Sequence, residues 1–233
     1  MNDNDKQQVA HPDAQYWINH LKLQPHPEGG FFREVTLSNY VVTNQIGKHR
    51  FAYTSIYFLL TDKSPSHFHR LPSDEVWAWH AGDPLDVHVI YRNDDDDDLI
   101  SACEGKAAGE VPRLDPEHFH ANSSLTPPHV QIRKEEACTQ EKPEKTYQQY
   151  HCVKVGPNAD QDERFQYTVP AGTIFGSTLA DGGKAGYTLL SCIVSPGFDY
   201  RDYELFTQEQ LMSMCPQHEG IIQKLAYKTL PLI

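Results

Sequence analysis

From Ser66 to Val87, SHFHRLPSDEVWAWHAGDPLDV, the chemically distinctive side chains stand at odd positions: His67, His69, Glu75, Trp77 and Trp79. Residues two apart in an extended chain share a face. The pattern therefore predicts two strands joined by a turn at Leu71-Pro72-Ser73-Asp74. His67 and His69 project together from the first strand, and Glu75, Trp77 and Trp79 from the second. Phe51 to Leu60, FAYTSIYFLL, reads as a central strand buried on both faces, and Leu85 to Tyr91, LDVHVIY, as a strand with one apolar and one mixed face. Further strands are expected at Tyr147 to Val155, Phe165 to Val169 and Tyr187 to Val194, with a tight turn set by Pro170 and Gly172 before another.

Helical spacing occurs only near the ends. Asp13 caps a short segment carrying Trp17, Ile18 and Leu21, while Thr207 and Gln210 have the spacing of a capping box. Many short strands with turn signals between them describe an all-β barrel or jelly roll, with one helix in front and helical segments behind.

Composition separates core from connection. The formal charge is −12, and residues 93–146 hold thirteen Asp/Glu, five of them consecutive at Asp94 to Asp98, against six Lys/Arg. This stretch lacks periodicity and reads as a long acidic insertion within a barrel domain spanning 13–206. Residues 1–12 read as a disordered N-terminus and 207–233 as a C-terminal helical segment packed on the barrel. No concentrated basic surface is present, so nucleic acid is not an expected partner. Five cysteines without C-x-x-C spacing indicate reduced thiols. With no basic, apolar leader and no membrane-length apolar run, the expected location is cytoplasmic.

Imidazoles and a carboxylate gathered on one wall suit proton transfer or a divalent ion, and the two indoles would enclose such a site in apolar surface. In QPHPEGGFFREVT, Gly29-Gly30 is either a plain turn or a close backbone approach to a ligand. Arg33 and Glu34 would then supply charge to that ligand, although Arg33 is equally placed to pair with Glu28 or Glu34.

PHPEGGFFRE at 25–34, the 66–87 stretch, and VPAG with GYTLLSCIVSPGFDYRDYEL inside 169–205 resemble the signature blocks of the cupin family catalogued as domain of unknown function 985, a relative of sugar-epimerase cupins. The spacing of His67, His69, Glu75 and Gly82 resembles the first cupin motif. The resemblance implies a double-stranded β-helix (jelly-roll) barrel, commonly a homodimer, with a small-molecule pocket at its mouth. Glu28 to Glu34 resembles the nucleotide-sugar-binding block of dTDP-sugar epimerases, with Gly29 where an arginine would stand. Phe175 stands where the second cupin motif would place its last metal ligand, so a divalent metal would have His67, His69 and Glu75 alone.

Two functional classes follow. One is a sugar or nucleotide-sugar isomerase or epimerase. In it His67 or His69 is the general base, Glu75 orients it or shares the proton, and Tyr57 or Tyr187 is an acid on the opposite wall. Glu28, Arg33, Glu34, Trp77, Trp79, Gly172 and Ser177 would contact the ligand. The other is a non-catalytic binding module for a nucleotide or another small anion. A metal-dependent oxygenase ranks below both.

Overall fold

The computed structural model describes residues 13–44, 47–92 and 147–231. The expected N-terminal disorder and acidic insertion lie outside the described residues. Helix α1 (Ala14–Leu21) opens the fold and Asp13 caps it, its Oδ1 accepting from the Tyr16 amide at 2.7 Å. The strands follow as β1 (Gln24–Pro25), β2 (Phe31–Leu37), β3 (Val41–Thr43), β4 (His49–Phe51), β5 (Thr54–Thr61), β6 (Ser66–Arg70), β7 (Asp74–Gly82), β8 (Leu85–Arg92), β9 (Tyr147–Val155), β10 (Gln166–Val169), β11 (Ile174–Leu179), β12 (Tyr187–Ser195) and β13 (Glu204–Leu205). Helices α2 (Gln208–Met214) and α3 (Glu219–Leu225) end the fold, α2 starting with the expected capping box of Thr207 and Gln210.

The strands form two antiparallel sheets, ordered β1-β2-β5-β12-β7-β10 and β13-β6-β11-β8-β9, with β3 and β4 as a separate hairpin. Alternation along each strand sorts its residues into layers. Phe58 and Leu60 of β5, Trp77 of β7, Val87 and Val89 of β8, and Leu190 and Cys192 of β12 point between the sheets into the main core. Leu59 and Tyr187 take the opposite face of the first sheet, under α1. Phe68, Ile90 and Ile174 take the outer face of the second, under α2 and α3. This is the all-β jelly-roll barrel with short terminal helices that the periodicity predicts.

Candidate functional site

The site begins in the turn between β1 and β2. The Gly29 amide donates to the His26 carbonyl at 3.0 Å, and the His26 amide to the Gly30 carbonyl at 3.1 Å. Gly29 and Gly30 have φ of +109° and +69°, and a Cβ on Gly29 would overlap the Pro65 carbonyl. The glycine pair is therefore a turn pressed against the chain just before β6. Its effect is to drive the Glu28 side chain inward, where it is buried. The Ser66 hydroxyl donates to Glu28 Oε1 at 2.6 Å.

Strand β6 departs from simple alternation. Opposite β11, the register runs from Phe175 and His69 to Ser177 and Ser66, so β6 carries one extra residue there. Such a bulge turns successive side chains out of the period of two. Ser66 and His69 both reach Glu28, whereas His67 turns away. His67 stacks on Tyr227 with ring centroids 3.7 Å apart, and its Nδ1–H donates to the Glu28 backbone carbonyl at 2.6 Å. The expectation that His67 and His69 project together is corrected on this point.

His69 Nδ1 lies 2.8 Å from the His67 carbonyl and must donate to it, because a carbonyl only accepts. In the neutral ring this leaves Nε2 as an acceptor, 3.5 Å from Glu28 Oε2. Burial lowers the His69 pKa to about 4, so the neutral ring is the resting form. His26 faces the same Glu28 oxygen, its Nδ1 also at 3.5 Å, and burial lowers its pKa against the opposing pull of Glu28.

Glu75 enters from β7 on the opposite sheet. It is 6% exposed, and its Oε2 has no hydrogen-bond partner. Burial, reinforced by the negative charge of Glu28, pushes its pKa up to about 8, outweighing the donors Cys192 and Trp77 nearby. Burial raises the Glu28 pKa as well, against the opposing pull of His26 and then of Ser66 and Tyr203. With its pKa at about 8, Glu75 keeps its proton at neutral pH. Next to it the Cys192 thiol is held well above its ordinary pKa, first by burial and then by Glu75.

These groups open onto a cavity of about 190 Å³ in the barrel mouth. Glu28, His69 and Glu75 stand on its wall with His26, and Phe32, Phe58, Phe198 and Tyr200 supply ring surface. Glu34 lines the same cavity from β2, and among the described residues no Lys or Arg does. Phe198 and Tyr200 belong to segment 196–203. Arg50 holds this segment by an ion pair from Nη2 to Asp202 at 2.7 Å, and the Gly197 amide donates to the Phe51 carbonyl at 2.7 Å.

Several expected site residues lie elsewhere. Trp77 is fully buried below the cavity, edge-on to Phe58 and Phe175, and Trp79 packs on the same core with its indole donating to the Asp83 carbonyl. Tyr57 and Tyr187 face outward under α1, where the Tyr187 hydroxyl accepts from Trp17 at 3.0 Å. Arg33 points away from the cavity and donates to the Leu21 carbonyl at 3.1 Å. Gly172 sits in the turn before β11, donating to the Leu71 carbonyl, and Ser177 is fully buried with its hydroxyl unpartnered. The metal set of His67, His69 and Glu75 is not assembled, because the bulge removes His67. Among the described residues no three His, Cys, Asp or Glu side chains are placed to hold a metal ion, so this donor set does not fit one.

His26, Ser66, Cys192 and Tyr203 were not singled out by sequence. His26 and Glu28 share parity in PHPEGG, the one local signal that pairs them. The other three meet Glu28 or Glu75 only through tertiary contact.

The comparisons agree with this architecture. A hypothetical protein from Leishmania major is 44% identical over 93% of this chain and 100% of its own, with a TM-score of 0.70. A protein of Shewanella oneidensis is 31% identical over 94% of this chain and 99% of its own, with a TM-score of 0.63. No curated protein matches. The model of the family described as Cupin superfamily (DUF985) matches residues 15–206, and the chain belongs to that family.

Proposed function

We propose that the cavity is a proton-transfer site acting on a small molecule at a carbon next to a carbonyl, an isomerase or epimerase reaction. The observation that carries this reading is the facing pair of a buried acid and a buried base. Glu75 lines the cavity and holds a proton, and one of its oxygens has no hydrogen-bond partner. His69 Nε2 and Glu28 Oε2 lie 3.5 Å apart as two acceptors, and both side chains line the cavity. A proton leaving the substrate carbon is taken by His69, and the Glu28 carboxylate stabilises the imidazolium that forms. Glu75 donates to the carbonyl oxygen as it gains charge. His69 returns its proton to the other face of the carbon or to the neighbouring carbon, and Glu75 recovers one from the enol hydroxyl that becomes the product carbonyl, so the site ends unchanged.

The cavity supports a substrate smaller than a nucleotide sugar. A cavity of about 150 Å³ takes benzene, and this one is about 190 Å³. With no Lys or Arg among the described residues of its walls, a phosphate would meet carboxylates and no positive charge there.

The test is hydrogen exchange in deuterium oxide, followed by NMR, over a panel of aldoses, ketoses and cyclic hydroxyketones. Exchange by the native protein that is lost in Glu75→Gln and His69→Asn supports the reading. Compounds that bind and raise the melting temperature without any exchange would replace it with the non-catalytic binding module.

A further inference from the structure

The cavity has a second end, and its chemistry is unlike the floor. Glu34 lines it from an exposed position on β2, two residues from Phe32, which shares the wall. Among the described residues Glu34 has no cationic partner, and Arg33 beside it points to the other side of the sheet. The rim adds Phe51 and Tyr200, 43% and 46% exposed, and Phe198, whose ring lies edge-on to Tyr200 at 4.9 Å. Deeper in, Glu75 lines the same cavity, and its buried Oε2 has no hydrogen-bond partner. Among the described residues every charged side chain on the lining is therefore acidic, and the remaining titratable groups there are imidazoles kept neutral by burial, a thiol and a phenol.

We propose that the cavity binds a small amine-bearing cation. Its ammonium end is met by the Glu34 carboxylate and the ring faces at the rim, and its uncharged end reaches Glu75, His69 and Glu28 at the floor. Carboxylate and ring faces attract a cation together, because the faces of aromatic rings carry the negative part of their quadrupole. Cavity walls of one sign also focus the potential of their charges onto the ligand. An anion meets the opposite field and finds no donor of positive charge. The volume sets the size at about that of a six-membered ring with one or two substituents, by comparison with cavities that take benzene. The inference rests on the cavity being the site of proton transfer proposed above, and it names the class of molecule that site receives.

The experiment uses three near-isosteric probes, cyclohexylamine, cyclohexanol and cyclohexanecarboxylate, with binding to the full-length protein measured by titration calorimetry at pH 7. The amine is expected to bind about five- to tenfold tighter than the alcohol, with the carboxylate weakest. Glu34→Gln should bring amine and alcohol together, and because Glu34 is exposed this variant keeps the melting temperature of the native protein. Equal affinity for amine and alcohol, a preference for the carboxylate, or a preference for the amine that survives in Glu34→Gln each overturns the proposal. The exchange assay separates this inference from the reading it rests on. Amine preference without exchange on any carbonyl compound, including amino ketones, sinks the proton-transfer reading alone. Exchange on neutral ketones with no amine preference sinks the cation proposal alone.

Discussion

Phe175 on β11 sits directly opposite His69 on β6, and its ring centroid lies 4.1 Å from that of the imidazole. A cupin that held an ion here would use this position for a ligand, whereas an apolar ring instead desolvates His69 and keeps it neutral. Native protein purified without a polyhistidine tag is therefore expected to carry metal well below one ion per chain by elemental mass spectrometry. His67→Ala/His69→Ala should leave that content unchanged. Near-stoichiometric metal lost in the double variant would refute this.

The bulge in β6 gives the two histidines separate consequences. His67→Ala removes the stack on Tyr227 and the bond to the Glu28 carbonyl, and a melting or denaturant curve should show a cost of about 1–2 kcal/mol. Substrate-proton exchange should persist in this variant and vanish in His69→Asn. Loss of exchange in His67→Ala with the fold intact would return His67 to the site.

Glu75 makes stability depend on pH in a defined direction. Its pKa is raised from 4.5 unfolded to about 8 folded, so the folded chain holds a proton that the unfolded chain has lost across that window. The contribution is fully present below pH 4.5 and is lost as pH rises through 8, at about 1.4 kcal/mol per pH unit between those limits. His69 works oppositely. Lowered from 6.5 to about 4, it contributes fully above pH 6.5 and loses that contribution as pH falls toward 4. Melting temperatures scanned from pH 5 to 9 should decline on the alkaline side, and Glu75→Gln should flatten that decline. The exchange rate should fall above pH 8 for the same reason, when the acid has lost its proton.

The Arg50 to Asp202 pair is 2.7 Å long, with both side chains under a tenth exposed. Arg50→Ala leaves Asp202, among the described residues, with the exposed Lys48 as its ion-pair partner and should cost about 3–5 kcal/mol. Amide exchange should rise first in segment 196–203, which supplies Phe198 and Tyr200 to the cavity. Unchanged protection there would show that the segment is held by its backbone bonds alone.

The barrel was legible in the sequence because layers follow from alternation, and β5, β8 and β12 obey it, as does β7 up to Trp79, where an extra residue opposite β12 sends Ala81 to the outer face. Glu75 and Trp77 do share a face, as the parity of β7 implies. What parity misses is depth along that face: Glu75 opens on the cavity, while Trp77 lies one pair further in and belongs to the core. The same limit explains His67, since one extra residue in β6 has no signature in SHFHR. Arg33 fails for the complementary reason. Its neighbours Phe32 and Glu34 both line the cavity, so period two sends Arg33 to the other face, and the charge it offered to a ligand goes instead to the end of α1. Cys192 read only as an apolar strand residue, because the Glu75 that gives it meaning is more than a hundred positions away.

The pairing of β5 with β12 joins Thr61 to Tyr187 and Thr54 to Val194. The cavity thus takes Glu28 and His69 from the first third of the chain and Cys192 and Phe198 from the last. Loop closure over such separations is slow, and these contacts form only when the ends have met. Occupancy of the cavity is therefore a late event in refolding. A chain stopped before β12 would hold Glu28, His69 and Glu75 with no binding site to show for them, and ligand affinity during refolding should rise with the last kinetic phase rather than with the first gain of strand structure.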